Sequence, residues 1–199
     1  MASTSRIFVA FTIPDVQRTR LGRLQGLIAP EMPNARWVTP EMFHVTLAFL
    51  GDIPDTDLNV VCRAVAEASK GFKPFTVNLQ SLGAFPDPAR PRVAWVGVTG
   101  PGLDVLADLQ QSVVRAVGEA GYPPDDERFS PHLTLGRLKP KKGDEVDITK
   151  LVAHYRTWSA GNFTVSQVVT FSSTLTPEGP AYMAMSRAPL RGEKPGSTP

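Results

Sequence analysis

The sequence predicts an α+β fold of two pseudo-symmetric lobes, each a mainly antiparallel sheet with helices on its outer face, facing a central cleft. Three observations lead there. The segments Phe43-His44-Val45-Thr46-Leu47-Ala48-Phe49-Leu50-Gly51 and Ser130-Pro131-His132-Leu133-Thr134-Leu135-Gly136-Arg137 echo each other, and their histidines are 132 − 44 = 88 residues apart. Phe75-Thr76-Val77 recurs as Phe163-Thr164-Val165 at the same offset, and the run Ile7 to Ala10 shifted by 88 falls within Val93 to Val98. Strand-like and helix-like segments alternate, with some strands arranged as hairpins, which favours two antiparallel sheets over a doubly wound one. An ungapped offset seen three times points to tandem duplication, and a period this long is not a solenoid repeat.

In chain order, residues 1–5 read as a loose tail and Arg6 to Ile13 as a strand. Pro14-Asp15 opens a helix with Leu21, Leu24 and Ile28 on one face. Trp37-Val38 is a short strand, and Thr39-Pro40 turns the chain into the first motif strand at 43–50. Past Gly51 and Pro54 a second helix carries Leu58, Val61, Cys62 and Val65, and Phe75 to Leu82 alternates as a strand. Residues 83–92 are too rich in Pro and Gly for regular structure and read as the join between lobes at roughly 1–85 and 92–187. The second half repeats the order: a strand at 93–98, a helix with Leu103, Leu106, Leu109, Val113 and Val117 on one face, and the second motif strand at 132–137. A basic turn spans 139–143, a short helix runs from about Asp147 to Tyr155, and strands at 163–171 and 181–187 finish the fold. The whole chain, 1–199, reads as one domain with a disordered tail at 188–199.

With 199 residues, 42% of them hydrophobic, the chain can bury a substantial core. A formal net charge of only +2 argues against gripping a long duplex but suits a short anionic ligand. The single Cys62 cannot form an intrachain disulfide, and the apolar run ending at Pro14 is short for a secretory signal. No apolar run reaches membrane-spanning length. A cytoplasmic protein is expected, with no membrane contact and no obligate protein partner.

The chemistry lies in the echo. Side chains alternate along a strand, so His44 and Thr46 share one face, and Val45, Leu47 and Phe49 the other; His132 and Thr134 stand likewise against Leu133 and Leu135. Imidazole titrates near neutrality, so one histidine can serve as base while the other, protonated, serves as acid. Threonine hydroxyls can donate to phosphate oxygens, and such a set around one anion suits phosphoryl chemistry. Strict alternation would bury Arg137; a β-bulge at Gly136 would return it to the cleft, where a guanidinium suits phosphate, whereas an exposed edge position is the alternative. Two histidines also occur in zinc sites, but those need a third and usually a fourth ligand. Neither motif holds an acidic residue or cysteine, and His154 lies on a separate short helix, so no metal is expected. Nucleotide-binding glycine loops are absent, since Gly97-Val98-Thr99-Gly100-Pro101-Gly102 has the wrong spacing. Phe43 and Phe129, which flank the motifs, and Phe85 in the Pro-rich loop are candidate base-stacking groups, while Trp37, Trp95 and Trp158 read as core. Arg90, Arg92 and Arg128 lie in loops that either rim the cleft or face solvent.

Paired His-x-Thr-x motifs in duplicated lobes resemble the 2H phosphoesterases, and within them the RNA 2′,3′-cyclic phosphodiesterases, also called 2′-5′ RNA ligase-like proteins. The likeness runs from about Arg6 to Tyr182 and includes Trp37-Val38-Thr39-Pro40, Gly83-Ala84-Phe85-Pro86 and Pro91-Arg92-Val93-Ala94-Trp95 beside the two motifs. Gly136 stands where many members carry alanine. The resemblance implies an enzyme that opens the 2′,3′-cyclic phosphate of an RNA 3′ end or small nucleotide, leaving a 2′-phosphate, without metal or other cofactor. It implies His44 as proton donor and His132 as proton acceptor, with Thr46, Thr134 and Arg137 on the phosphoryl oxygens. The alternatives are the reverse 2′-5′ ligation, an RNA-end binding module without turnover, and hydrolysis of a related cyclic phosphate.

Overall fold

The computed structural model describes residues 3–124, 129–139, 146–176 and 179–192. Its strands are β1 (Thr4–Thr12), β2 (Ala35–Trp37), β3 (His44–Pro54), β4 (Phe75–Phe85), β5 (Val93–Thr99), β6 (His132–Leu138), β7 (Ser159–Val165), β8 (Gln167–Thr176) and β9 (Gly179–Pro189). Its helices are α1 (Asp15–Ile28), α2 (Leu58–Lys70), α3 (Leu103–Glu119) and the short α4 (Thr149–His154). The strands form one sheet in the order β7-β4-β5-β6-β3-β1-β8-β9, with β2 added to β6, and every pairing is antiparallel.

Two halves are related by the 88-residue shift: β6 corresponds to β3, β5 to β1 and α3 to α1. Strand pairing crosses between the halves. β4, which follows β3 in the chain, pairs with β5 in the other half, and β8 pairs back with β1. The expected single strand at 163–171 is therefore two. Residues up to Val165 pair with β4, those from Gln167 belong to β8, and only Ser166 lies between. With β7 and β8 this close in the chain, the sheet has to curl until its β7 edge approaches the β8 side. The Pro-rich join is also shorter than expected, because β4 continues through Gly83 to Phe85 against β5.

One continuous core fills the side of the sheet that faces the helices. Ile7, Val9 and Phe11 of β1, Leu21, Leu24 and Ile28 of α1, and Leu106, Leu109 and Val113 of α3 are all buried in it. At roughly 1.5–3 kcal/mol per fully buried large aliphatic side chain, this burial is the main stabilising term. The β7 edge is covered by α1, where Gln17 donates to the Asn162 carbonyl at 2.8 Å and Arg20 to the Ala160 carbonyl at 2.9 Å. Cys62 is half-buried at the margin of α2 rather than deep in the core.

Residues 4–5 and 188–192, expected in loose tails, are held in the fold. β1 begins at Thr4, where Thr4 and Ser5 pair with Pro54 and Ile53 of β3. At the other end Ala188 and Leu190 are buried, and the Leu190 and Gly192 amides donate to the carbonyls of Ser166 and Phe72. Two apolar side chains in an otherwise polar C-terminal stretch suffice to pin it. Residues 193–199 lie outside the described residues, as does the expected basic turn beyond Lys139. Among the described residues no helix is long and apolar enough to cross a membrane.

Candidate active site

β3 and β6 pair through Val45 and Leu133. These are equivalent positions of the two repeats, since 133 − 45 = 88, so a local twofold axis passes between them. Carried one residue to either side, the antiparallel register sets His44 across from Thr134 and Thr46 across from His132. Val45, Leu47, Leu133 and Leu135 are buried in the core, which turns both imidazoles and both hydroxyls, all half-buried, to the opposite face. The structure thus brings together the four motif residues singled out in the sequence.

Each imidazole is held the same way. His44 Nδ1–H donates to the Met42 carbonyl at 2.7 Å, and His132 Nδ1–H donates to the Ser130 carbonyl, also at 2.7 Å. A carbonyl can only accept, so this fixes the tautomer and leaves Nε2 as the nitrogen that can exchange a proton. Burial pushes both imidazoles below their ordinary pKa, opposed by the carbonyl contacts and reinforced by the positive charge of Arg137; His132 adds to the depression at His44. In the free protein both therefore favour the neutral form near pH 7. A bound anion would favour the charged form of either.

Arg137 reaches the cleft face through a bulge. Thr134 pairs with Trp95 and Gly136 with Ala94, so Leu135 is an extra residue on β6, and alternation restarts with Arg137 exposed on the face away from the core. β3 carries an equivalent bulge at Leu47, between Thr46 paired with Ala10 and Ala48 paired with Val9. Gly136 is required by close approach: a Cβ there would lie 2.8 Å from the Trp37 ring, which packs over it from β2.

The aromatic expectations need correction. Phe43 is 2% exposed and belongs to the core, because its extended backbone sets it on the face of Val45, two residues on. Phe129 is half-buried and packs against the core. Of the candidates only Phe85 lies beside a histidine ring, and the other neighbouring rings are Phe8, Tyr182 and Trp95. Phe8 and Tyr182 lie 5.0 and 5.4 Å from the His44 ring, and Phe85 and Trp95 lie 5.0 and 6.2 Å from the His132 ring. Trp95, expected in the core, packs over Gly83 on the cleft face. Its placement next to Thr134 could have been read from alternation, since Ala94, Val96 and Val98 take the core face. No local signal marks Tyr182, which reaches His44 only because β9 adds to β8 and β8 to β1.

His154 is exposed on α4. Arg90 and Arg92 are exposed in the loop after β4, and Arg128 lies outside the described residues. Among the described residues no three His, Cys, Asp or Glu side chains cluster as metal ligands.

A curled antiparallel sheet that sets two His-x-Thr-x strands about one local twofold defines a two-histidine phosphoesterase. The LigT-like phosphoesterase family profile matches the chain twice, over residues 11–95 and 96–182, one match for each repeat. The chain belongs to the LigT-like phosphoesterase family. It is 32% identical over 181 residues to the RNA 2′,3′-cyclic phosphodiesterase of Methanothermobacter thermautotrophicus, covering 90% of this chain and 96% of that one. It is 37% identical over 158 residues to the enzyme of the same name from Aquifex aeolicus, covering 79% and 82%. Among solved structures, TT0787 of Thermus thermophilus superposes with a TM-score of 0.76 at 28% identity, over 95% of this chain and 100% of that one.

Proposed function

We propose that the protein hydrolyses the 2′,3′-cyclic phosphate at an RNA 3′ end to a 2′-phosphomonoester, using His132 as base and His44 as acid and no metal. The observation that carries this reading is the pairing of two imidazoles, each with Nδ1–H tied to a backbone carbonyl, about the Val45–Leu133 axis. The relatives' names supply the substrate class.

In the step proposed, His132 Nε2 takes a proton from water as the water oxygen bonds to phosphorus. The P–O3′ bond breaks on the opposite side, and O3′ takes the proton carried by His44 Nε2. The 2′-phosphate remains on the ribose, and the two imidazoles exchange protonation states with solvent before the next cycle. Arg137 and the hydroxyls of Thr46 and Thr134 hold the phosphoryl oxygens, where donors fixed in advance stabilise the charge that builds in the transition state. The burial that lowers both pKa values keeps the base neutral, and the substrate's own negative charge favours protonation of the acid. The two repeats act as one catalytic domain, since each supplies one histidine. The lone Cys62 fits a reducing, cytoplasmic setting.

The direct test is to incubate the protein with an oligoribonucleotide ending in 2′,3′-cyclic phosphate, in the presence of EDTA, and identify the product by mass and by chromatography against 2′- and 3′-phosphate standards. A 2′-phosphate supports the reading; an unchanged end or a 3′-phosphate overturns it.

A further inference from the structure

The two ends of the cleft are chemically opposite. Phe49 and Arg137 occupy equivalent positions, 137 − 49 = 88, each just past its bulge and each exposed on the cleft face. At the Phe49 end, which is 61% exposed, the rings of Phe8, Phe171 and Tyr182 lie behind it. Farther out, Arg6 is neutralised by Asp52 at 3.6 Å.

At the other end β2 pairs with β6 so that Arg36 stands directly across from Arg137. Its neighbours Ala35 and Trp37 pack on the core, which turns Arg36, exposed, to the face that carries Arg137. Side chains directly opposite in an antiparallel pair have Cβ atoms about 4.5–5.5 Å apart, and like charges so placed repel. Among the described residues neither arginine meets a carboxylate in an ion pair. Two adjacent guanidiniums that meet no carboxylate among the described residues, beside a phosphodiester-cleaving centre, can be stabilised together by two phosphates.

We propose that Arg36 holds the internucleotide phosphate on the 5′ side of the terminal nucleotide while Arg137 holds the cyclic phosphate. The enzyme then selects RNA ends over free nucleoside 2′,3′-cyclic phosphates. The inference rests on the phosphodiesterase reading above. A cyclic phosphate closes the chain at its 3′ end, so any second phosphate in reach belongs to the 5′ side. At the aromatic end the cations are Arg6, paired with Asp52, and Arg187, which lies three strands from β3 across β1 and β8, whereas Arg36 stands directly across from Arg137, and this favours Arg36.

The test compares three substrates: adenosine 2′,3′-cyclic phosphate, the ApA dinucleotide ending in 2′,3′-cyclic phosphate, and the same dinucleotide with an uncharged methylphosphonate link. For wild type, kcat/KM on the charged dinucleotide should exceed the other two by about tenfold, the scale of one charge-assisted contact in an open groove. Arg36→Ala should bring the charged and uncharged dinucleotides within about twofold of each other, as the double-mutant cycle between side chain and phosphate requires. Arg36→Lys should retain part of the preference. The dinucleotide's log–log salt dependence should lose about 0.7 of its slope in Arg36→Ala. Because Arg36→Ala could loosen β2, Arg36→Gln is measured beside it, and the selectivity ratio, not the absolute rate, is the readout. Equal loss on all three substrates, or a wild type indifferent to the methylphosphonate, overturns the inference while leaving the phosphodiesterase reading standing. Hydrolysis of none of the three by wild type overturns that reading, and this inference with it.

Discussion

Val45 and Leu133 pair across the junction of β3 and β6, and each is the other's counterpart in the repeat. That one contact puts the symmetry axis between the two histidines, so in the proposed mechanism neither repeat holds a complete site. Removing either imidazole should therefore be crippling. We expect His44→Ala and His132→Ala each to lower kcat by roughly 10²–10⁴-fold, the usual cost of losing a general acid or base. The double variant should be little worse than the more damaged single one, because groups acting in one step are not additive. Near-normal turnover in either single variant, measured on a cyclic-phosphate RNA end, would rule out the two-histidine step.

The pH profile follows from the depressed pKa values. In the proposed mechanism the active form has one imidazole neutral and one protonated, so kcat/KM should fall at high pH as the acid loses its proton and at low pH as the base gains one. Burial, foremost, sets both free-enzyme values below the ordinary 6.5. The alkaline limb of kcat/KM should thus lie at lower pH than free imidazole titrates. In kcat the same limb should move to higher pH, because the bound phosphate favours the protonated acid. An alkaline limb of kcat/KM at or above about 6.5, where imidazole ordinarily titrates, would contradict this. EDTA should leave both profiles unchanged, and activity lost to it and restored by a divalent ion would revive a metal site.

What could be read in the sequence was whatever depends on local alternation and on the repeat. His44, Thr46, His132 and Thr134 share a face because a strand has period two, and the 88-residue offset related the two halves before any pairing was known. Even the bulge that delivers Arg137 was legible from Gly136, although the extra residue is Leu135. What depends on which strands become neighbours was not. The exchange of β4 and β8 between halves, and with it the approach of Tyr182 to His44, is decided by non-local pairing. The core position of Phe43 also follows from alternation, because its backbone is already extended and it lies two residues before Val45, on the same face.

Gly83 tests whether the Trp95 platform matters. A Cβ at residue 83 would lie 2.2 Å from the Trp95 ring, which packs in turn against His132. The indole is flanked by the rings of Phe85 and His132, so Gly83→Ala should destabilise by about 1–3 kcal/mol, as overpacking does. It should also lower kcat, because the displaced ring disturbs His132. Urea unfolding and single-turnover rates measure the two effects. Wild-type stability together with wild-type rate would mean that the ring moves freely and does not position His132.

The division of labour between the histidines can be decided by changing the leaving atom. Oxygen at the 3′ position departs as an alkoxide, a poor leaving group that must gain a proton as the P–O3′ bond breaks. Sulfur in its place departs as a thiolate, whose conjugate acid resembles cysteine with a pKa of about 8.5, and needs little protonation. Loss of the acid then costs little, whereas loss of the base still slows attack by water. If His44 is the acid, the 3′-thio cyclic substrate should recover roughly 10²-fold or more of the rate lost in His44→Ala and almost none of that lost in His132→Ala. The two sites do not decide this by geometry, because both imidazoles are tied identically through Nδ1. The burial that lowers both pKa values acts in the same direction at each. Comparing mutant-to-wild-type rate ratios on the oxygen and sulfur substrates separates the roles directly. Selective rescue of His132→Ala would exchange them, and failure to rescue either would mean that the imidazoles chiefly hold the phosphate rather than move protons.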